Sequence, residues 1–309
     1  MMVIGTYTSQ NSQGLYKVEN DSVELFSAFS NPTYVIRDND NYFTYTNDNN
    51  EVKMIVLDKQ GRVVDSCLSI EKKAPCFIAK HSKLDFVITA NYHEHTLVLY
   101  SKVSGKYSVI DSWQTDNQQS KLHHVYFNGD ESLFFVCDLG LSKIYTFRVG
   151  KKLECIDEIS LPEGSGPRHM ISDKFHRYYY VFTELSCEVY VYERIGHLFI
   201  LRQIVKTTKK HSQKSGAAIR ISEDNRYLYV SNRKEDSIVS FSIKKGLLFF
   251  NQRISSYGQH PRDFNLVNNG LVVANRESNN LVFMTRNLKD GKLVFDKIMD
   301  CWEPVSVCL

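Results

Sequence analysis

Residues 217–241, AAIRISEDNRYLYVSNRKEDSIVSF, decide the fold. Ala217 opens a short apolar run, SEDN makes a polar turn, and YLYVSN climbs through aromatic and β-branched residues to a polar end at Asn232. A second polar turn follows, and SIVSF returns to Phe241, nine residues beyond Asn232. Runs of this kind, bounded by Asn, Asp and Ser, are strands, and a short polar interval between two of them makes a hairpin. No apolar residues recur with the 3.6-residue period that a helix would require.

The same pattern recurs along the chain. Second strands with polar ends are YFTYTN (to Asn47), DFVITAN (to Asn91), LFFVCD (to Asp138), YYVFTE (to Glu184) and GLVVAN (to Asn275). With YLYVSN included, their ends lie 43 to 48 residues apart. The markers that open each preceding strand are Pro32, Pro75, His123, Pro167, Ala217, Pro261 and Pro304. Five of the six prolines occupy this one position, which chance placement would not produce. A period in the forties with about four short strands per unit is the signature of propeller blades. Seven markers predict an all-β, seven-bladed β-propeller spanning residues 1–309 as one domain. Too few residues follow Pro304 to make a blade, so the N-terminal strands must complete the last one. VIGTYT reads as its second strand, with Thr6 as the polar end, and GLYKVE as the third. That closure removes free sheet edges.

Composition agrees with this reading and narrows the function. Aromatic residues make up 12% of the chain, with 18 Tyr and 18 Phe, and such side chains suit a pleated, half-buried surface. A net charge of +3 and a pI near 8.3 fall short of the strongly basic balance of a nucleic-acid binder. The run KTTKKHSQK, from Lys206 to Lys214, reads as a solvated loop between blades. No apolar stretch approaches the roughly 20 residues needed to cross a bilayer, and MMVIGTYTSQ lacks the layout of a signal peptide. Cys67, Cys76, Cys137, Cys155, Cys187, Cys301 and Cys308 form no CxxC pair and mostly sit in strand-like runs as small apolar residues. The expectation is a cytoplasmic, reduced protein without nucleic-acid or membrane partners, and a monomer, since a closed ring needs no partner for stability.

Blade topology then predicts where polar residues meet. If the first strand of each blade lines the channel and the second runs back antiparallel, first-strand starts and second-strand ends share one face. That face gathers His123, Arg168 and Arg262 from first strands, and Asp138, Glu184 and Arg233 from second strands. Cationic groups with two carboxylates suit a small anionic ligand whose carbonyl is to be polarised. Each residue also has a plain structural reading. His123 could be a satisfied strand-start histidine, Asp138 could cap turn amides, and Arg262 could pair with its neighbour Asp263. Arginine's planar fork fits phosphate or carboxylate, so Arg168 and Arg233 read as ligand clamps, with Glu184 either holding one of them or doing chemistry.

Several chemistries find no support. The stretch Gly164–His169 (GSGPRH) lacks GK[ST], a third glycine and a following helix, so it is no nucleotide loop. No GxSxG elbow supplies a nucleophilic serine. His93 and His95 of NYHEHT have metal-ligand spacing but lie in a hairpin turn with no HExxH nearby, so no metal or other cofactor is expected.

The segments GTYTSQNSQGLY, GSGPRHMISDKFHRYYYVFTELSCEVYVYE, AAIRISEDNRYLYVSNRKEDSIVSF and GQHPRDFNLVNNGLVVANRESNNLV, in this order, resemble the propeller lactonases. That family is typified by the cycloisomerase-like bacterial 6-phosphogluconolactonases, and the resemblance runs along essentially the whole chain. It is similar in fold and rim residues to the fungal carboxymuconate lactonising enzymes, whose site is held to comprise one His, two Arg and one Glu. Carried over by motif, the resemblance implies His123 as general base, Arg168 of GPRH and Arg233 of SNR as anion and oxyanion clamps, and Glu184 of the EL pair. Arg262, Lys121, Asp138 and His169 are the expected substrate contacts around them. Lys121 departs from the family, where many relatives carry a histidine, and Asn47-Asp48 replaces a common Asn-Glu pair. The resemblance implies hydrolysis of a small anionic sugar lactone, 6-phosphogluconolactone. A muconate-type cycloisomerase and a non-catalytic binding propeller remain the alternatives at this point.

Overall fold

The computed structural model describes residues 1–209 and 214–309. Part of the KTTKKHSQK run, residues 210–213, therefore lies outside the described residues. The described chain forms 28 strands in seven four-stranded antiparallel sheets, and no helix. Six sheets each take four consecutive strands. The seventh combines Pro304–Cys308 with Met2–Thr6, Gly14–Glu19 and Ser22–Ala28, in that spatial order. Val3 pairs with Cys308 and Ile4 with Val307, so the two chain ends close the ring as the spacing required.

The core lies between blades rather than in one centre. Seven apolar clusters each join two neighbouring sheets. In one of them Phe134 and Phe147 stack at 5.0 Å against residues of the preceding blade. Two clusters carry the closure, with Val3, Leu15 and Cys308 packing on Tyr42 and Ile55, and Ile4 and Val307 on Val272 and Leu281. Burial falls from the inner to the outer strands. Tyr227–Asn232 is wholly buried, whereas the outermost strand Glu154–Ser160 is almost wholly exposed. Aromatic residues at full burial are worth roughly 1.5–3 kcal/mol each, and the repeated pattern sets one at nearly every interface.

Two kinds of register shift shape the ring, one in all seven blades and one in five of them. One sits between third and fourth strands, at Tyr16, Leu57, Tyr100, Phe147, Tyr192, Phe241 and Met284. An extra residue there sharpens the twist of the outer hairpin. Residues nine positions after the polar ends, Tyr100, Phe147 and Phe241, are the ones at this shift. The other shift sits at the start of the innermost strand. Leu122 pairs with Asp138 and His124 with Cys137, leaving His123 as the extra residue. Arg168 is extra between Pro167 and His169, and Arg262 between Pro261 and Asp263. This registers Leu122 and Gly216, not His123 and Ala217, with the prolines of the other blades, a one-residue correction to the marker positions. An apolar or small residue can replace Pro there because the position is a buried strand start; Gly216 adds a donor, its N–H donating to Glu184 O at 2.9 Å.

Candidate functional site

Two rings of equivalent positions meet at one end of the channel. The first consists of the residues at the inner shift, His123, Arg168, Ala217, Arg262 and Val305, with Thr33 and Cys76 preceding the innermost strands of the two blades that have no such shift. A bulge re-aims its extra side chain, and all of these except Ala217 converge on one small space in the channel. The second ring is set by a recurring backbone bond just past the second strand. The N–H of Glu184 donates to Gly166 O (2.7 Å), Arg233 to Ser215 O (2.8 Å), Arg276 to His260 O (3.1 Å), Leu139 to Lys121 O (2.9 Å) and Tyr7 to Glu303 O (3.2 Å). Above the channel these rings enclose a cavity of about 440 Å³, walled by Tyr7, Asn31, Asn47, Lys73, Tyr92 and His93 and floored by Cys76, His123, Glu184, Arg233 and Arg262.

The floor is an ion cluster. Arg168 Nε lies 3.1 Å and an Arg233 terminal nitrogen 2.7 Å from the same oxygen, Oε2 of Glu184. Backbone carbonyls fix the guanidiniums further, Arg168 on Ala217 O (2.7 Å) and Arg233 on Gly216 O (3.0 Å). Burial pushes the Glu184 carboxyl up, but Arg233 and Arg168 together outweigh it and hold the group below its ordinary value. Burial and the Arg233 charge bring Arg168 down to about 9, with Glu184 opposing, so it remains a cation at neutral pH. Arg262 adds a third guanidinium that, among the described residues, pairs with no carboxylate. Its neighbour Asp263 instead binds Arg220 at 2.9 Å and accepts from Val307 N, so the Arg262–Asp263 pair expected as one reading does not form.

His123 is 5% exposed, and its Nδ1 is sealed without a hydrogen-bond partner, which leaves Nε2 as the ring nitrogen on the cavity side. Burial, then Arg168 and Arg262, drive its pKa well below the ordinary histidine value. The ring is therefore neutral, and protonating it is costly unless an anion shares the site. Below it lie two further buried imidazoles, His169 at 5.3 Å and His124 at 4.6 Å from His169, both neutral for the same reasons. Arg168 donates to His169 Nε2 at 3.0 Å, which puts the His169 proton on Nδ1. Cys76 cannot serve as a nucleophile at neutral pH, because burial pushes its thiol up to about 12.

Comparison with known proteins now bears on this geometry. The family described as "Lactonase, 7-bladed beta-propeller" matches residues 1–308. The chain belongs to that family. It is 31% identical to the 6-phosphogluconolactonase of Bacillus subtilis (strain 168), with 94% of this chain and 92% of that protein covered. It is 34% identical to the 6-phosphogluconolactonase of Formosa agariphila over 67% of this chain and 65% of that one. A Lactobacillus plantarum crystal structure superposes with a TM-score of 0.90 at 27% identity, covering 99% and 98% of the two chains. Family and relatives together support a lactone hydrolase.

In the lactonase, the expected site residues divide into three groups. His123, Glu184, Arg233 and Arg262 meet at the cavity floor. Arg168 and His169 sit one layer lower, facing the small space beneath, so Arg168 reaches the cavity only through Glu184. Asp138 is not part of the cavity, a correction to the expected substrate contacts. Its carboxylate is fully buried and accepts from Ser120 Oγ (2.6 Å) and from the N–H groups of Lys121, Gly140 and Leu141 (2.8, 3.0 and 3.0 Å). Lys121 stands at the edge, its Nζ 5.3 Å from the Tyr92 ring centre. Sequence reasoning passed over His93, Tyr92, Tyr7 and Lys73. Tyr92 and Tyr7 directly follow second-strand ends, Asn91 and Thr6, as Arg233 follows Asn232, and that shared position was the available signal. His95, paired with His93 by spacing, turns away to the carbonyl of Ser120.

Gly166 explains the glycine of GPRH. Its φ is +66°, and a Cβ there would come within 2.7 Å of Leu185 Cγ, the residue next to Glu184. A side chain at 166 would displace the loop that holds the floor carboxylate.

Proposed function

We propose that the protein hydrolyses 6-phosphogluconolactone to 6-phosphogluconate, as a carboxylic-ester hydrolase of the oxidative pentose phosphate pathway. The observation that supports this is the cavity floor, where guanidiniums are held by one carboxylate beside a neutral buried imidazole. The lactone carbonyl rests against Arg233 and Arg262, whose charge is in place before the oxyanion forms, so little reorganisation accompanies the reaction. His123 Nε2 accepts a proton from the attacking water. In the free protein that imidazolium would face Arg168 and Arg262, but the tetrahedral oxyanion compensates it as it forms. Collapse breaks the bond between the carbonyl carbon and the ring oxygen, and His123 returns its proton to that oxygen. The lowered pKa of Glu184 favours the orienting role over that of an acid. It orients Arg168 and Arg233. A cytoplasmic setting goes with this reading, since the seven cysteines stand as free thiols.

The test is the ring opening of freshly generated 6-phosphogluconolactone by the wild type, by His123→Ala and by buffer alone. The expected result is a wild-type rate well above buffer that falls by about 10²–10⁴ in the variant. Coincident wild-type and buffer rates would end the assignment, and an unchanged His123→Ala rate would remove His123 as the base.

A further inference from the structure

The cavity has a second cationic pole, away from its floor. Lys73 and His93 line the wall, and Lys121, which does not itself line the cavity, holds its Nζ 5.3 Å from the ring centre of Tyr92, which does. Lys73 is placed by its peptide on both sides. Its N–H donates to Glu94 Oε1, which also takes the Lys72 N–H at 2.8 Å, and its carbonyl accepts from Asn91 Nδ2 at 2.7 Å. The Glu94 carboxylate is thereby turned towards backbone amides. Among the described residues neither Lys73 Nζ nor Lys121 Nζ has a carboxylate within ion-pair distance. The nearness of both ammoniums to His93 shows in its pKa, lowered first by burial and then by Lys121 and Lys73.

We propose that Lys73 and Lys121 form the subsite for the phosphoryl group of a phosphorylated sugar lactone, and so set the preference for phosphorylated over plain lactones. This rests on the proposed lactone hydrolysis at the floor and divides the labour of the cations. Arg168 and Arg233 are buried and already share Glu184. A phosphate dianion is large and strongly hydrated, so taking it to a dry floor is costly. The mouth keeps water around it, and two flexible ammoniums can close on its three terminal oxygens without losing their own solvation entirely. In a six-membered sugar lactone the carbonyl and the phosphorylated arm diverge from carbons on either side of the ring oxygen. A substrate with its carbonyl on Arg233 and Arg262 can thus turn that arm towards the wall. His93 is neutral there and adds a hydrogen bond rather than a charge.

The experiment compares the wild type, Lys73→Met, Lys73→Arg and Lys73→Met/Lys121→Met. It measures kcat/KM on 6-phosphogluconolactone and glucono-δ-lactone, and calorimetric binding of 6-phosphogluconate and gluconate. The expected result is a phosphorylated-to-plain selectivity ratio that falls about tenfold per lysine removed, carried by KM, with Lys73→Arg retaining most of it. The affinity ratio of 6-phosphogluconate to gluconate should fall in parallel. A double variant that keeps the wild-type ratios overturns the subsite while leaving lactone hydrolysis standing. A wild type that turns over neither lactone, yet binds 6-phosphogluconate in a lysine-dependent way, overturns the hydrolysis and supports the subsite. Absence of both turnover and binding overturns both.

Discussion

Replacing Glu184 with Gln removes one charge and almost no volume, so its effect isolates the carboxylate at the cavity floor. In the native protein two guanidiniums converge on Glu184 Oε2, at 3.1 and 2.7 Å, and the glutamate side chain is 19% exposed. Removing one partner of a buried ion pair costs about 3–5 kcal/mol, because the remaining charge stays buried and uncompensated. Here the amide oxygen can still accept one hydrogen bond, which sets the expected loss at the lower end, about 3 kcal/mol. For a chain of this size that corresponds to a fall in Tm of roughly 6 °C. The pH dependence has a definite sign. The folded carboxyl lies below its ordinary 4.5, so its contribution is present above that value and is lost as pH falls through the lower folded value. The gap in Tm between wild type and Glu184→Gln, followed by near-ultraviolet circular dichroism, should be full at pH 7 and close progressively below about 4.5. A gap under about 1 °C at pH 7, or one that does not change with pH, would refute the claim that Glu184 neutralises this floor.

Three other outcomes follow from the same geometry. His123, His124 and His169 are all buried and neutral, with folded pKa values depressed, so the unfolded chain takes up protons below about 6.5 that the folded one does not. Stability should therefore fall as pH drops, by on the order of 4 kcal/mol per unit once well below 6.5, while kcat/KM shows no acid limb near 6.5 from His123; a Tm that is flat from pH 7 to 5.5 would contradict this. Asp138→Ala strands three part-buried N–H donors and the buried Ser120 hydroxyl and should cost about 1–3 kcal/mol while leaving the lactone KM unchanged; a shifted KM at unaltered Tm would return Asp138 to the substrate site. Gly166→Ala forces a side chain into a left-handed turn at about 1–2 kcal/mol and presses on Leu185, so thermal stability and turnover should drop together, and normal turnover would show that the loop need not be held so closely.

The fold was legible because its signals are local and repeated. Prolines at one position, polar strand ends and a period in the forties need no knowledge of packing, and the ring closure followed from counting. The site was legible only in part. Topology brought His123, Glu184, Arg233 and Arg262 to one face, but bulges shift register by one residue without a sequence mark, and they do not alone set depth along the channel. Arg168 and His169 were expected at the surface of the cavity yet lie beneath it; His123 and Arg262 occupy the same bulge position as Arg168 and reach the cavity, whereas Arg168 is held by Ala217 O and Glu184. Asp138 shows the converse error. A carboxylate at a strand end has the right address for the rim, and only the four donors converging on it reveal that its oxygens are spent. Lys73 was invisible for a third reason, since it comes from the irregular stretch before a blade, outside the repeated pattern.

The two rings also explain how a nearly symmetric scaffold carries an asymmetric site. Each blade offers one side chain from the start of its innermost strand and one from just past the second strand, so every blade has two addresses at the same mouth. In this chain the innermost-strand ring is polar or ionisable at Thr33, Cys76, His123, Arg168 and Arg262, and small or apolar at Ala217 and Val305. Ala217 is small where Arg168 needs a carbonyl to dock on, at 2.7 Å. The second ring answers with Glu184 between Arg168 and Arg233, and with Tyr7 under Arg276 at 4.4 Å. Glu184 thus pairs with Arg168 of its own blade and with Arg233 of the next, so one carboxylate ties the two rings and two neighbouring blades together. Because the interblade clusters hold the ring independently of these addresses, substitutions there change the chemistry of the mouth without rebuilding the core. The floor cluster is the exception: three of its members, Arg168, Glu184 and Arg233, are bound to one another, so each is expected to register in stability and in turnover together, whereas Lys73 and Lys121, tied to no carboxylate, should register in substrate choice alone.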